Sequence, residues 1–370
     1  MIYLDYNATA PLLPRVVEAM TAASLQPSNP SSVHALGRKA RQLVEDSRDV
    51  VAKAVSAFSN EVIFTASGTE ANTMALRSFA DRPILVGATE HASIAKTAQR
   101  LGGDTLTVGV QGMIDGDGMA RKLAALGRPA FVSVMLANNE TGVIQPVAEL
   151  VAIAKRYDAL VHCDASQAIG KIPVDMGLLG VDMLTLCAHK AGGPVGVGAL
   201  VVRQNLPVKP LLTGGGQELG RRAGTENVSA IVGFASLLQE PVPAWMTPVA
   251  SWLRDMEAAI KEAAPDAIIA GEGAPRLGNT SCIMMPKVNS ETQLMTFDLE
   301  GFAVSAGSAC TSGRIEASAV LLAMGVGREL ASGAVRISAG WNSSREEILR
   351  FTEAWKKAYM RLSHGHAQRA

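Results

Sequence analysis

Four cysteines in 370 residues, Cys163, Cys187, Cys282 and Cys310, with no two at C-x-x-C spacing, exclude a zinc knuckle and a thioredoxin-like redox pair. So sparse a set fits a reducing compartment, and a chain this long buries enough surface to fold without disulfides. An excess of charge is missing too, with 34 Lys+Arg against 34 Asp+Glu. Nucleic-acid-binding proteins usually carry a basic surplus to displace counterions from phosphate, so no nucleic-acid partner is expected. No apolar run reaches the roughly 18 residues of a membrane span, and Met1-Ile-Tyr-Leu-Asp-Tyr6 lacks the basic and apolar regions of a signal peptide. Repeats and low-complexity tracts are absent as well. These absences predict a soluble, cytoplasmic protein with no membrane partner.

What is present is globular: 48% of residues are hydrophobic and 18% charged. At roughly 100–200 residues per domain, the length suggests two domains or one large one with an appendage. From about residue 60 to 205, short apolar runs alternate with helical patterns. Strands are predicted at 61–64, 83–87, 131–136, 160–163, 183–186 and 198–202, and helices at 69–80, 93–101 and 146–157. Such alternation predicts an α/β fold with a mostly parallel sheet. A Pro-rich stretch, Gln239-Glu-Pro-Val-Pro-Ala-Trp245, precedes a helical run at 250–264 and sets a boundary near 246. The remainder reads as a smaller α+β domain, and the tail from Ser363, including His364-x-His366, as a frayed end. No metal site is expected.

Ligands of such sheets bind outside the carboxyl ends of the strands. Gly68-Thr69 opens a helix there, where unpaired N–H groups and the dipole favour a phosphate; the same residues also suit an ordinary N-cap. Asp164 ends the strand 160–163, as a ligand carboxylate or a cap for the next turn. Lys190 follows the strand 183–186, between Cys187-Ala-His189 and Ala191-Gly-Gly-Pro194. It is either a surface lysine or an amine that bonds an aldehyde. Taken together, a phosphate cup, a strand-end Asp and a strand-end Lys are what pyridoxal 5′-phosphate requires. Asn139 or Gln167 could bond the ring hydroxyl. His91 could stack on the ring, or be a satisfied structural histidine. Cys310 lies among small residues that give it little to pack, which suits an exposed thiol nucleophile or an incidental cysteine. Arg336 could grip a substrate carboxylate with its fork or make an ordinary surface ion pair.

These motifs, in order, resemble the cysteine desulfurases of the iron–sulfur cluster and nitrogen-fixation type, in the class V aminotransferase group. The resemblance runs nearly end to end. It begins at Tyr3-Leu-Asp-Tyr-Asn-Ala-Thr-Ala-Pro11 and Asn29-Pro-Ser-Ser-Val-His34. It continues through Gly68-Thr-Glu70, Asn138-Asn-Glu-Thr-Gly142, His162-Cys-Asp-Ala-Ser-Gln167 and His189-Lys190. It ends with Gly214-Gly-Gly-Gln-Glu218, Arg222-Ala-Gly-Thr225, Gly307-Ser-Ala-Cys-Thr-Ser312 and Arg336.

The resemblance implies a fold-type I enzyme dependent on pyridoxal 5′-phosphate. Its large domain would span 12–245, and its small domain, 1–11 with 246–370, would carry the catalytic cysteine loop. It further implies that Lys190 holds the cofactor and moves the substrate Cα proton. Asp164 would pair with the ring nitrogen, His91 stack on the ring, and Asn139 and Gln167 bond its oxygen side. Gly68, Thr69 and His189 would line the phosphate site. Thr225 would reach the neighbouring subunit's phosphate, making a homodimer, and Arg336, with Asn139, would bind the substrate carboxylate. L-Cysteine would become L-alanine, leaving a persulfide on Cys310 for a sulfur-acceptor protein such as an iron–sulfur scaffold. Selenocysteine lyase or another class V activity is the alternative, and a non-catalytic binding partner a remoter one.

Three features depart from the family pattern. Cys187 stands in the phosphate site where a Ser is common, and a thiol is a poorer donor. Ala191-Gly-Gly193 is smaller than usual, and the tail lacks an apolar ending.

Overall fold

A computed structural model describes residues 1–27, 29–240, 242–307 and 317–365; Cys310 and the last five residues lie outside them. Seven strands form the central sheet: β1 (Val62–Thr65), β2 (Ile84–Gly87), β3 (Asp104–Leu106), β4 (Phe131–Met135), β5 (Leu160–Asp164), β6 (Met183–Cys187) and β7 (Gly198–Val202). Their spatial order is β1-β7-β6-β5-β4-β2-β3. Neighbours from β6 to β3 are parallel, and β7 runs antiparallel to both β1 and β6. β3 escapes the sequence reading because it is a three-residue edge strand with two exposed positions.

Alternate residues of each strand enter separate cores, as the period-2 geometry of a strand requires. Phe64, Leu85, Val132, Val134, Leu184 and Val201 face one side. There they meet α1 (Pro14–Ser24), α2 (Ala35–Ala54), α5 (Gly116–Leu126), α6 (Val147–Lys155) and α7 (Val228–Leu237). Ile63, Ile84, Phe131, Met183 and Leu200 face the other, under α3 (Gly68–Ser78) and α4 (Ala92–Arg100). A sheet covered on both faces explains why its strands read as continuous apolar runs.

Register puts the chemistry on one edge. Met135 pairs with Asp164, Asp164 with Thr185, Cys187 with Gly198, and Gly198 with Thr65. The carboxyl ends of β1, β4, β5 and β6 therefore lie side by side. Beneath them His162 is a structural histidine, bonded to Ser133 and Thr185 and pushed down to about 4 by burial.

A second, antiparallel sheet has the order β10-β11-β9-β8, from β8 (Ile268–Ile269), β9 (Thr280–Met284), β10 (Ser305–Ala306) and β11 (Ala334–Ser338). With α8 (Met246–Ala263), α9 (Ser290–Leu299) and α10 (Arg345–Gly365) it encloses its own core of Leu253, Ile260, Phe297, Ile337, Phe351 and Trp355, joined by Ile2 and Leu4 from the N-terminus. α8 starts four residues before the expected run, with Pro248 in its first turn, where a missing N–H is harmless. α10 continues to Gly365, past the Ser363 at which the tail was expected to fray. Among the described residues, no helix is long and apolar enough to cross a membrane.

Candidate active site

Asp164, at the end of β5, is 5% exposed. Its Oδ1 accepts the Ser166 N–H at 2.8 Å, and its Oδ2 accepts from Asn72 Nδ2 at 2.7 Å. Burial alone would raise this carboxyl, but Ser166, the nearby Lys190 and Asn72 together hold it below its usual value. Asp164 is thus an ionised carboxylate at the sheet edge. Asn72 Nδ2 also donates to Ser93 Oγ at 2.9 Å. Ser93 in turn holds His91, donating its N–H to Nδ1 at 3.2 Å and placing its Oγ 2.8 Å from the same atom. In the neutral ring the proton therefore sits on Nε2. Burial, with Lys190 adding to it, lowers the imidazole below its usual value, so the ring is uncharged.

The start of α3 is capped by Ser67, whose Oγ accepts the Glu70 N–H at 3.1 Å. Gly68 lies against the turn after β5 and the end of β6. A Cβ there would stand 3.0 Å from Ser166 Oγ and 3.4 Å from Cys187 Cβ, so a side chain would fill the cup that the turn forms. Thr69 is exposed beside it. The Cys187 sulfur accepts the Gly68 and His189 N–H groups, and burial pushes the thiol up despite them. Cys187 is therefore a protonated thiol behind the cup. His189 faces Thr9 Oγ1 through Nδ1 at 3.2 Å and is pushed down to about 4 by burial and by Lys190.

Lys190 is half-buried. Its charge reaches His91, Asp164, Lys171, Cys187 and His189, so residues from separate strands and loops converge on one amine. Gln167 and Asn139 line the same region. Gln167 Nε2 donates to the Asn7 carbonyl at 2.9 Å. Asn139 contributes its backbone oxygen, which accepts from Asn7 Nδ2 at 3.2 Å and Arg336 Nη1 at 2.9 Å. Arg336 is not a surface ion-pair residue. It is 6% exposed on β11, pairs with Asp5 at 2.5 Å, and leaves a buried Nε without a partner among the described residues. Thr225 is exposed in a crevice shared with Thr65, Ala66 and Arg222, and the nearby Arg222 is anchored to Glu70 at 2.8 Å.

Sequence reasoning missed Asn72, Ser93, Ser166, Glu90 and Lys171. Two signals were available: Asn72 lies one helical turn beyond Gly68, and Ser93 and Ser166 each stand two residues after a named site residue, a spacing at which side chains bond the local backbone. Glu90 is buried. Its Oε1 accepts the Met135 N–H at 2.7 Å and its Oε2 has no partner among the described residues, so burial and the neighbouring Asp164 keep it protonated.

Cys310 lies outside the described residues, but the chain on either side of it converges. Ser318 Oγ donates to Glu140 Oε2, and a Cβ on Gly307 would stand 2.6 Å from the same oxygen. Glu140 adjoins Asn139, and Ser305 pairs with Arg336.

A mostly parallel sheet with this polar edge is the architecture of an α/β enzyme whose lysine, carboxylate and helix-capped cup gather at the carboxyl ends of the strands. The Aminotransferase class-V family matches residues 2–351, and the chain belongs to it. It is 38% identical over 366 residues to "Cysteine desulfurase IscS" of Dictyoglomus turgidum, covering 94% of this chain and 91% of that one. Among solved structures, a NifS-like protein from Rickettsia africae superposes with a TM-score of 0.91 at 36% identity, covering 97% and 99% of the two chains. "SspA in complex with cysteine" superposes with a TM-score of 0.79 at 29% identity, covering 91% and 98%. The chain shares the fold of these proteins.

Proposed function

We propose that the protein is a pyridoxal 5′-phosphate-dependent cysteine desulfurase that converts L-cysteine to L-alanine and passes the sulfur through Cys310. The observation that carries this reading is the convergence of Lys190, an ionised Asp164 and an uncharged His91 beside the Gly68 cup. These residues fit the cofactor. The glycine cup at the start of α3, with the Thr69 hydroxyl beside it, suits a phosphate, the Asp164 carboxylate suits a protonated ring nitrogen, and Lys190 suits the aldehyde carbon. Thr69 and His189 flank the cup, with Cys187 behind it. When bound, the cofactor supplies an electron sink next to the substrate Cα.

The chain's own residues do the rest. Asp164, tethered by Ser166 and Asn72, keeps its charge toward the ring. His91, pinned by Ser93, presents a neutral face for stacking. Arg336 binds the substrate carboxylate in exchange for Asp5, and its Nε, without a partner among the described residues, gives the fork a spare donor. Lys190 moves the Cα proton. The Cys310 thiolate attacks the substrate sulfur, so a sulfur–sulfur bond forms as the Cβ–S bond breaks. Sulfur is oxidised to the persulfide level, Cβ is reduced to the methyl of alanine, and no outside oxidant is required. An acceptor protein, of the kind that feeds iron–sulfur assembly, then takes the sulfur.

The working unit is a homodimer in the cytoplasm, with Thr225 serving the neighbouring site. The chain divides into a large domain, 12–245, and a small one, 1–11 with 246–370. The second sheet has a core of its own that includes Ile2 and Leu4, apart from those on the two faces of the central sheet, and this supports that division.

Purified protein should be yellow and should release sulfide and alanine from L-cysteine in the presence of a reductant. Cys310→Ala should keep the colour and lose sulfide release. Sulfide release at the parental rate by that variant would remove Cys310 from the mechanism.

A further inference from the structure

Lys171 is the most deeply buried charged-type side chain near the site, 2% exposed, and the reaction just described does not use it. No carboxylate lies within ion-pair distance of it among the described residues. Instead Nζ donates to Gln167 Oε1 at 2.7 Å and to Asn7 Oδ1 at 2.9 Å. Which end of each amide is the nitrogen follows from neighbours that can only accept. Gln167 Nε2 donates to the Asn7 backbone carbonyl at 2.9 Å, and Asn7 Nδ2 donates to the Asn139 carbonyl at 3.2 Å. Both amide oxygens are thereby turned toward Lys171. Burial, with Lys190 and Arg336 nearby, pushes the Lys171 ammonium well below the usual lysine range. A neutral amine has two N–H groups, which matches the two acceptors it meets.

We propose that Lys171 is a positioning residue that locks the Gln167 amide with its oxygen held away and its remaining N–H free to donate to the ring oxygen of the cofactor. Without Lys171 only the Asn7 carbonyl still orients the amide, so a larger share of it turns and presents its oxygen to an oxygen, which reverses a favourable contact. A donor on the ring oxygen favours the deprotonated cofactor–lysine linkage, because charge on that oxygen is greatest in that form. Losing the donor raises the pH at which the linkage deprotonates. Lys171 thus acts on the electronics of the cofactor from one layer away, as outer partners tune the ligands of a site.

This inference rests on the cofactor reading of the site, and one experiment separates the two. The pH midpoint of the visible absorption change is measured on holoenzyme without substrate, for the parent, Lys171→Met, Gln167→Ala and the double variant. Lys171→Met should raise the midpoint by about one unit, the scale of one hydrogen bond to a charged group. In the Gln167→Ala background the same change should add nothing, because the effect passes through Gln167. A purely structural lysine would give the same added shift in both backgrounds, and an unmoved midpoint in Lys171→Met also overturns the proposal. A parent protein without a pyridoxal-phosphate absorption band overturns both readings. Should Lys171→Met not fold, Lys171→Gln, which keeps a donor, should hold the parental midpoint while Gln167→Ala moves it; the reverse pattern refutes the lock.

Discussion

Two carboxyls within the same buried pocket, Asp164 and Glu90, are driven to opposite protonation states by what surrounds them. Asp164 accepts from Ser166 and Asn72 and feels Lys190; Glu90 accepts one backbone N–H and faces the Asp164 charge. Donor count, not depth, decides which is ionised. Asn72 is therefore central, because one Nδ2 serves both Asp164 and the Ser93 that holds His91. Asn72→Ala should weaken pyridoxal-phosphate binding about tenfold, the loss expected for one hydrogen bond to a charge. A titration of the apo-protein followed by visible absorbance measures it. Unchanged affinity would show that Asp164 keeps its place without Asn72. At this scale the sequence was legible where a reactive residue closes a strand, as with Asp164 and Lys190. It was opaque where a residue matters through a distant partner: nothing near Lys171 in the chain announces Asn7, and nothing near Asn72 announces Asp164.

At the scale of elements, strand register turns scattered motifs into a site. A one-residue slip of β5 would send the Asp164 side chain to the other face of the sheet. The apolar runs fixed which segments become strands, and the expected boundaries of β4, β5, β6 and β7 differ from the observed ones by one residue at most. The antiparallel entry of β7 had no signal in hydrophobic periodicity, because direction leaves the burial pattern of a covered strand unchanged. That inversion places Gly198, the first residue of β7, between the cup and β6. A Cβ there would meet Leu186 O and Ser67 C at 2.8 Å and Gly68 N at 3.0 Å. All three are backbone atoms that cannot swing aside, so Gly198→Ala must displace the start of α3. Overpacking of this kind costs about 1–3 kcal/mol. The variant should melt at lower temperature and lose cofactor more readily than the parent. Gly216→Ala, with open space around it, should do neither. A Gly198→Ala protein with parental melting and cofactor retention would show that the cup tolerates a shifted helix.

At the scale of the whole molecule, the central sheet and the second sheet meet along a seam of polar residues. Asn7 spans it, bonding Thr280 of β9 on one side and the Asn139 turn of the large unit on the other. Arg336 of β11 crosses to the Asn139 carbonyl, and Glu140 reaches Ser318 and Gly307 at the two ends of the segment that carries Cys310. Burial pushes Glu140 up to about 7 against the hydrogen bond from Ser318 and the charge of Arg336; Cys282 also feels Glu140 and is itself pushed up to about 12 by burial. A raised acid has a definite consequence. The unfolded chain releases this proton near 4.5 and the folded chain near 7, so between those values the folded state binds more protons, and its stability falls as pH rises. At most about 3 kcal/mol is at stake, from a displacement of roughly two and a half units. The buried histidines, with lowered values, act in the opposite direction over the same range. The term is therefore read from a difference. Glu140→Gln keeps an acceptor for Ser318 and has no proton to lose, so its stability relative to the parent should climb from pH 5 to pH 8 in denaturant melts. A constant difference across that range would mean that Glu140 is already ionised in the folded protein, held so by Arg336, and that the seam is closed by charge rather than by a shared proton.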